Sequence, residues 1–332
     1  MTYTLMIAVI AAALAFDFFN GFHDSANAIA TIVITKTLRP GQAVILAGAA
    51  NFVGYFAFGV AVASTIGKGV VGVEFITLPI LIAALLGAIL WNIITWLIGL
   101  PTSSSHALIG GLVGAALVSA GPKSIIVPGL LTILLFIVVA PVLGWLGSVL
   151  FTNVVLALSR KARPVKANKV FKRLQLVSAA SYAMAHGTND AQKSMGIIAL
   201  ALVAGGVNTS FVLDRWVVFS CYSAMAVGTM LGGWRIVRTM GTRITKIRPM
   251  EGFCAETASA VVMFVTAHFG IPVSTTHVIA GSIMGVGTVE SAAAVRWVTA
   301  RRIVWAWLLT IPFTAACSAL SYLVIKLFIQ GP

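Results

Sequence analysis

Long apolar runs that carry almost no charge are the feature that most restricts the folds open to this chain. Of its 332 residues, 59% are hydrophobic and only 9% are charged, whereas soluble domains carry about 25% charged residues. So few charges cannot cover a surface that faces water. Several of the runs approach the ~20 residues that a spanning helix needs. The sequence therefore predicts an all-α polytopic membrane protein whose principal partner is the lipid bilayer.

Basic residues outnumber acidic ones by 22 to 8, and many of them lie in short links between the apolar runs. We interpret them as topology signals and headgroup contacts, and we predict no nucleic-acid partner. The links at 160–173 and 235–248 are strongly basic and are predicted to be cytoplasmic. The link at 207–214 has no Lys or Arg and is placed outside. Lys36 and Arg39 place the link at 36–42 inside.

Two polar motifs occur twice in the chain. Gly99-Leu-Pro-Thr-Ser-Ser-Ser-His106 returns 171 residues later as Gly270-Ile-Pro-Val-Ser-Thr-Thr-His277, and Gly21-Phe-His-Asp24 has a looser counterpart 166 residues later in Gly187-Thr-Asn-Asp190. The duplication predicts three units, which are a first transmembrane repeat at 1–158, a basic cytoplasmic linker at 159–174 and a second transmembrane repeat at 175–332.

The basic links also predict how the two halves are oriented. Segment 5–35 ends at an inside link, whereas its counterpart, segment 175–206, begins at one. The halves are therefore expected to form inverted-topology repeats, which many secondary transporters use. Each polar motif interrupts an apolar run, so broken or re-entrant helices are expected at four places, namely 20–24, 99–105, 186–190 and 270–276.

Three acidic residues, Asp24, Asp190 and Glu256, are predicted to be buried at membrane depth, and Asp17 is a fourth candidate. An ionised carboxylate there costs at least about 2.5 kcal/mol, so it usually faces a cation, a proton path or a water-filled cavity. Helix capping is the structural alternative for one Asp at a break. Two Asp at equivalent breaks favour an ion-coupling role.

Clusters of hydroxyl residues follow both Gly-x-Pro breaks. Hydroxyls and free N–H groups at a helix start can hold an anion. N-capping is the alternative, but it explains only one Ser for each helix. We therefore predict an oxyanion site formed by Ser104, Ser105, Thr275 and Thr276.

Further polar residues in the motifs are candidates for the same site. His23, His106, His186 and His277 each lie in one of the four motifs and suggest a supporting or proton-relay network. A metal site is not predicted, because no His/Cys pair has ligand spacing on one helix. Amides in apolar stretches can serve anions or cations, and Asn27 and Asn189 are the candidates we select. Lys193 lies one turn after Asp190 and needs that carboxylate or the substrate anion as a partner.

The stretches from Asn20 to Asn27, Gly99 to His106, His186 to Lys193 and Gly270 to His277 together resemble the inorganic phosphate transporter (Pit) family. The resemblance covers nearly the whole chain, in order. His23-Asp24 and Gln192-Lys193 stand where many members have Asn-Asp and Ala-Asn, and these forms are similar to the bacterial low-affinity branch.

The resemblance implies two inverted repeats with a phosphate site at their centre and symport with Na⁺ or H⁺. It further implies that Asp24 and Asp190 are the central acids, that Ser104, Ser105, Thr275 and Thr276 are phosphate ligands, and that Glu256 is the acid found in the second repeat of many members.

The function we predict is secondary symport of inorganic phosphate across the bacterial cell inner membrane, without a cofactor other than the coupling ion. A permease for sulfate or another tetrahedral oxyanion on the same scaffold is the alternative, and an ion channel is a remote one. An enzyme is not expected, because no nucleophile with an oriented base is evident. Transport of phosphate as a metal complex, homo-oligomers and a cytoplasmic accessory protein are left open.

The predicted coupling ion is H⁺. Alignment of the two halves on Asp24 and Asp190 puts Asn27 opposite Lys193, so an ammonium replaces one amide oxygen that could serve Na⁺. A tethered cation there would repel Na⁺ by a few kcal/mol at an effective dielectric near ~20. Asp24 with His23 is then the predicted titrating pair. In the alternative, Lys193 points away from the site and a Na⁺ binds at Asp24.

Overall fold

A computed structural model describes residues 2–57 and 61–329, and this part of the chain forms α-helices with no strand beyond one isolated bridge between Val71 and Ile125. The helices are α1 (Thr2–Ile34), α2 (Pro40–Ala57), α3 (Ala61–Gly69), α4 (Leu78–Ile98), α5 (Ser104–Ala120), α6 (Val127–Ser159), α7 (Pro164–Ala204), α8 (Arg215–Leu231), α9 (Trp234–Thr242), α10 (Pro249–His268), α11 (Thr275–Glu290) and α12 (Trp297–Ile329). Five of them are long and apolar enough to cross a membrane, and two bent helix pairs would raise the number to seven. The prediction of an all-α polytopic membrane protein is confirmed.

The two Gly-x-Pro breaks are present and have the same geometry. Helix α4 ends before Gly99, whose φ is +69°, and α10 ends shortly before Gly270, whose φ is +67°. Glycine adopts this left-handed conformation without a Cβ clash, and a proline two residues later cannot continue the helix. Both breaks are followed by a short helix, α5 or α11, whose first residues are buried.

The other two expected breaks are wrong, because residues 20–24 and 186–190 lie inside the uninterrupted helices α1 and α7. Their glycines serve packing. A Cβ on Gly21 would lie 2.1 Å from the carbonyl oxygen of Met225, and one on Gly187 would lie 2.6 Å from that of Asn51. A continuous helix also satisfies its own backbone hydrogen bonds, which favours it in an apolar environment.

The basic segment predicted as a linker is helical over most of its length. Helix α7 begins at Pro164, so the segment 159–174 is mainly the first part of a helix of 41 residues. At 1.5 Å per residue this helix is about 60 Å long, twice the thickness of the hydrocarbon core. The basic part of α7 therefore extends beyond the apolar layer.

The glycines of α5 and α11 allow each of these short helices to pack closely on a helix of the other half. Helix α5 of the first half packs on α12 of the second, and α11 of the second packs on α6 of the first. A Cβ on Gly114 would lie 2.0 Å from the carbonyl oxygen of Ala315, and one on Gly281 would lie 2.1 Å from that of Pro141. The two GxxxG segments, Gly110 to Gly114 and Gly281 to Gly285, thus provide the close helix packing that small residues allow.

Contacts at the two ends of the bundle define the directions of α1 and α7. At one end, Lys172 Nζ donates to the carbonyl oxygen of Lys36, 3.2 Å away, so the start of α7 lies beside the end of α1. At the other end, a Cβ on Gly205 would meet Met6 Sδ at 2.5 Å, so the end of α7 lies beside the start of α1. The two helices that carry the equivalent acids therefore run antiparallel.

Helices α5 and α11 also lead away from each other. Helix α5 is followed by the bridge between Val71 and Ile125, which lies near Phe211. Helix α11 ends at Glu290, whose carboxylate lies 3.6 Å from the guanidinium of Arg248. These directions support the inverted-repeat architecture, which stays a prediction, as does the division at 1–158, 159–174 and 175–332.

Cysteine accessibility in intact cells tests the orientation. Single cysteines are introduced at the exposed residues Gln42, Ala162 and Ser210 in a background without Cys221, Cys254 and Cys317. We expect a membrane-impermeant maleimide to label only Ser210→Cys, because the positively charged links stay inside. Lysed cells should label at all three sites. Labelling of Gln42→Cys from outside would contradict the inverted arrangement.

Candidate functional site

The starts of α5 and α11 meet in the interior of the protein. Ser103 Oγ accepts a hydrogen bond from the backbone N–H of His106 at 3.1 Å, and Ser274 Oγ accepts one from that of His277 at 3.3 Å. Thr276 Oγ1 also donates to the carbonyl oxygen of Thr102, 3.0 Å away, which joins the two helix starts. One hydroxyl thus caps each helix, and the hydroxyls that follow face other groups.

Within each half, a hydroxyl of the short helix faces the acid of the long helix. Ser104 Oγ lies 3.3 Å from Asp24 Oδ2, and Thr275 Oγ1 lies 3.3 Å from Asp190 Oδ2. The hydroxyl residues are 171 positions apart and the acids 166 positions apart, the same offsets as the motifs. The two halves therefore place the same chemical pair in the same way.

A second set of contacts crosses between the halves. Asn27 Nδ2 of α1 donates to Thr276 Oγ1 of α11 at 2.8 Å. At the equivalent place, the ammonium of Lys193 of α7 donates to Ser105 Oγ of α5, and it also donates to Asp190 Oδ1. The duplicated contact is thus made by an amide in one half and by a cation in the other.

Two carboxylates and two imidazoles surround this junction. Single ligand atoms of Asp24, His186 and Asp190 all lie within 4.8 Å of one another. His23 Nδ1 lies 2.7 Å from Asp24 Oδ1, and its Nε2 lies 3.1 Å from Thr95 Oγ1. Two carboxylates within 4.8 Å of each other repel by at least about 3 kcal/mol at an effective dielectric near ~20. A positive charge or a proton between them would relieve that repulsion.

Lys193 supplies one such charge within the protein. Its side chain is fully buried, as are both carboxylates, and it is one of the largest fully buried side chains of the described residues. With the imidazoles neutral, the junction carries two negative charges and one positive charge. An entering anion therefore meets a site whose net charge is one negative unit.

Glu256 lies outside this junction. Its carboxylate accepts hydrogen bonds from Thr31 Oγ1, from Ser178 Oγ at 2.5 Å and from Gln175 Nε2 at 3.1 Å. Thr31 is seven residues after Asp24 on α1, about 10 Å along the helix. Sequence analysis placed three acids near one another, whereas the structure brings two of them together and sets the third apart.

The remaining predicted residue, Asn189, is next to Asp190 on α7 and fully buried, and its side-chain amide has no hydrogen bond within residues 2–57 and 61–329. The residues that sequence analysis missed are those that hold Glu256 and His23, namely Thr31, Thr95, Gln175 and Ser178. Of these residues, only Thr31 could have been found from the sequence, because its spacing of seven residues from Asp24 puts both on one face of a helix.

The histidines that close the two Gly-x-Pro motifs also meet. The rings of His106 and His277 are 4.8 Å apart between centroids and nearly perpendicular, and Trp307 stacks on His277 at 3.9 Å. These three rings form a cluster of aromatic contacts. They do not contact the carboxylates of Asp24 or Asp190.

This fold and this junction of duplicated motifs match a known class of membrane transporters. The model of the phosphate transporter family matches residues 20–318. The chain belongs to this family. It is therefore a transporter rather than an enzyme, and a helical multi-pass protein of this kind lies in the inner membrane of bacteria.

Similar proteins are described in the same terms. A probable low-affinity inorganic phosphate transporter of Rhizobium meliloti is 49% identical over 323 residues, which cover 97% of each chain. One from Bacillus subtilis is 43% identical over 328 residues, which cover 97% of this chain and 98% of the other. A solved structure described as "The sodium-dependent phosphate transporter" has a TM-score of 0.90 at 26% identity and covers 98% of this chain and 99% of its own.

Removal of the crossed hydroxyls tests their part in substrate binding. We expect Ser105→Ala with Thr276→Ala to weaken the apparent affinity for phosphate by tenfold or more, because each lost hydrogen bond to a charged group is worth about 1.5–3 kcal/mol. Concentration dependence of uptake into proteoliposomes measures this affinity.

The matched control for that double variant is Ser105→Thr with Thr276→Ser, which keeps both hydroxyls. It should retain an affinity close to that of the wild type. If the alanine variant inserts normally and binds phosphate as well as the control does, these hydroxyls are not ligands.

Proposed function

We propose that this protein is a secondary active symporter that carries inorganic phosphate across the inner membrane together with H⁺. The observation that supports this most directly is the position of Lys193, whose ammonium lies between Asp190 and the hydroxyl of Ser105. It supplies a fixed positive charge where two helix starts, which favour anions, meet.

In the proposed binding mode, Ser104 and Ser105 from α5 and Thr275 and Thr276 from α11 hold the oxyanion. Their hydroxyls now contact carboxylates, Lys193 and an amide, so they would exchange these partners for phosphate oxygens. Phosphate is preferred to sulfate because a protonated phosphate oxygen can donate to a carboxylate, whereas sulfate has no proton to donate at neutral pH. The relatives described as inorganic phosphate transporters favour the same substrate.

Charge balance gives a physical reason for coupling. The junction carries a net negative charge when both histidines are neutral, so an anion binds there only after a further positive charge has entered. A proton or a cation bound between Asp24 and Asp190 meets that need. Each substrate then increases the affinity for the other, which is the reciprocal linkage that symport requires.

The proton is favoured over Na⁺ by the asymmetry of the two halves. In the second half, the ammonium of Lys193 occupies the place at which the first half has the amide of Asn27, so a cation replaces an amide oxygen that could bind a metal ion. In the first half, His23 lies 2.7 Å from Asp24. An imidazole beside a carboxylate can exchange a proton near neutral pH, which suits H⁺ coupling.

Na⁺ coupling is the second candidate, and two observations favour it. The structurally similar protein is described as sodium-dependent. In addition, Asn27 Oδ1 is buried without a hydrogen-bond partner in the described part of the chain, on the helix that carries Asp24. Amide and carboxylate oxygens together can coordinate a cation. One Na⁺ could therefore bind in the first half alone.

Uptake into proteoliposomes separates the two ions. Labelled phosphate uptake is measured with a pH gradient in Na⁺-free buffer, with a Na⁺ gradient at uniform pH, with neither gradient, and with excess sulfate. We expect accumulation with the pH gradient alone and little inhibition by sulfate. Uptake that needs Na⁺ and ignores the pH gradient would refute H⁺ coupling, and strong inhibition by sulfate would refute the preference for phosphate.

Replacement of Lys193 tests whether its charge determines the ion. We expect Lys193→Asn, which restores the amide that the first half carries, to lose transport or to become Na⁺-dependent. Lys193→Arg is the matched control, because it keeps the charge. A Lys193→Asn protein that still accumulates phosphate without Na⁺ at the wild-type rate would show that Lys193 has no part in coupling.

A further inference from the structure

A continuous polar stripe runs along the buried face of α1. Asp17, Asn20, Asp24, Asn27 and Thr31 follow one another at intervals of three and four residues, so they share one face of the helix. All five are buried, in a helix that is long and apolar enough to cross a membrane. Asp24, the acid that α1 contributes to the central junction, occupies only the middle of this stripe.

Asp17 lies at one end of the stripe and has an unusual set of partners. Its Oδ1 accepts a hydrogen bond from Ser194 Oγ of α7 at 2.6 Å, and the thiol of Cys221 on α8 lies beside it. No nitrogen or oxygen donor reaches its Oδ2 in residues 2–57 and 61–329. The side chain is 0% exposed. A carboxyl group placed in this way is stabilised as the neutral acid, because an ionised group there would lose its hydration without a compensating partner.

The charged groups around Asp17 are few. Asp190 and Lys193 of α7 act on it from a distance and with opposite signs. Helices α2 and α4, which also pack on α1, carry no charged residue or histidine. Helix α8 carries one charged residue, Arg215 at its first position, six residues or about 9 Å before Cys221. The charged and titratable groups of α9, α10 and α11 lie against the other half of α1, where those helices contact residues 22–34. No cation therefore holds Asp17 as a carboxylate by direct contact in the described structure.

The position of Asp17 is not that of a structural cap. It is in the middle of a helix of 33 residues, seven residues or about 10 Å before Asp24. Its partner Ser194 directly follows Lys193, so the same turn of α7 contacts both Asp17 and the central junction. Between Asp17 and Asp24 on α1, the amide of Asn20 is buried without a hydrogen-bond partner among the described residues, and such groups commonly bind water.

The end of the stripe that Asp17 occupies is the predicted extracellular one. Asp17 is on the part of α1 that leads to Met6, which packs against Gly205 next to the link at 207–214, which has no Lys or Arg. Glu256 contacts the opposite end of the stripe through Thr31, beside the basic segments. One buried acid thus lies on each side of the central pair.

We propose that Asp17, oriented by Ser194, is a proton-binding site between the outside and the phosphate site. The proton enters from external water and binds Oδ2, so the carboxylate becomes a neutral acid while the hydrogen bond from Ser194 to Oδ1 is kept. Release of the same proton toward the central junction supplies the positive charge that phosphate binding needs, and Asp17 returns to the carboxylate. This inference rests on the H⁺ coupling proposed above.

The test compares driven accumulation with exchange in proteoliposomes. A pH gradient of one unit supports about tenfold accumulation for each coupled proton. We expect Asp17→Asn, which cannot carry a proton, to lose this accumulation while it still exchanges labelled for unlabelled phosphate when no gradient is present. A pH-sensitive dye inside the vesicles should count fewer protons per phosphate. Glu74→Gln, which neutralises an exposed acid, is the control and should behave as the wild type.

The outcomes separate this inference from the proposed function. If the wild type responds to the pH gradient and Asp17→Asn responds equally, the role of Asp17 is refuted and H⁺ coupling stands. If the wild type accumulates phosphate only with Na⁺, both proposals fail. Loss of exchange together with accumulation would mean that Asp17 acts in binding or folding instead.

A second pair of variants applies if Asp17→Asn does not reach the membrane. Asp17→Glu keeps an ionisable group and should retain accumulation driven by the pH gradient. Ser194→Ala removes only the hydrogen bond to Oδ1 and should displace the pH dependence of the uptake rate, because that bond stabilises the carboxylate form. An unchanged pH profile in Ser194→Ala would overturn the proposal.

Discussion

The burial of three charged groups at the centre of an apolar bundle is the constraint on which the rest of the structure depends. Asp24, Asp190 and Lys193 would each cost several kcal/mol in isolation. The protein offsets part of this cost with hydroxyls placed at the starts of α5 and α11. The two Gly-x-Pro breaks, the short helices α5 and α11 and the glycines that let them pack closely all follow from that requirement.

Duplication explains how so many polar groups reach one point. A single half offers one acid and one hydroxyl-rich helix start, which satisfy each other but leave one face open. The second half covers that face, and the crossed contacts of Asn27 with Thr276 and of Lys193 with Ser105 join the halves. The halves differ in the group that makes this contact, which is a neutral amide in one half and an ammonium in the other. This difference leaves a net charge that neither half can cancel alone.

The sequence predicted the helix breaks at Gly99 and Gly270 because the signal is local, a glycine followed by a proline. It failed at Gly21 and Gly187, since a glycine that turns the chain cannot be distinguished from one that packs against a distant backbone, here those of Met225 and Asn51. The structure brings together the predicted residues of the repeated motifs, and their part in a binding site stays a prediction. The residues that hold Glu256 were missed, because they lie on two other helices, α1 and α7, and share no motif.

The polar stripe of α1 also bears on the channel alternative. A channel needs a continuous pore with weak, successive binding sites, and the stripe superficially resembles one. At its centre, however, Thr276 bonds to the carbonyl of Thr102 and to Asn27, and Lys193 bonds across to Ser105. Passage along the stripe therefore requires these crossed hydrogen bonds to break. Phosphate oxygens are suited to replace them, so opening of the path is tied to binding of the substrate, which is the behaviour of a transporter.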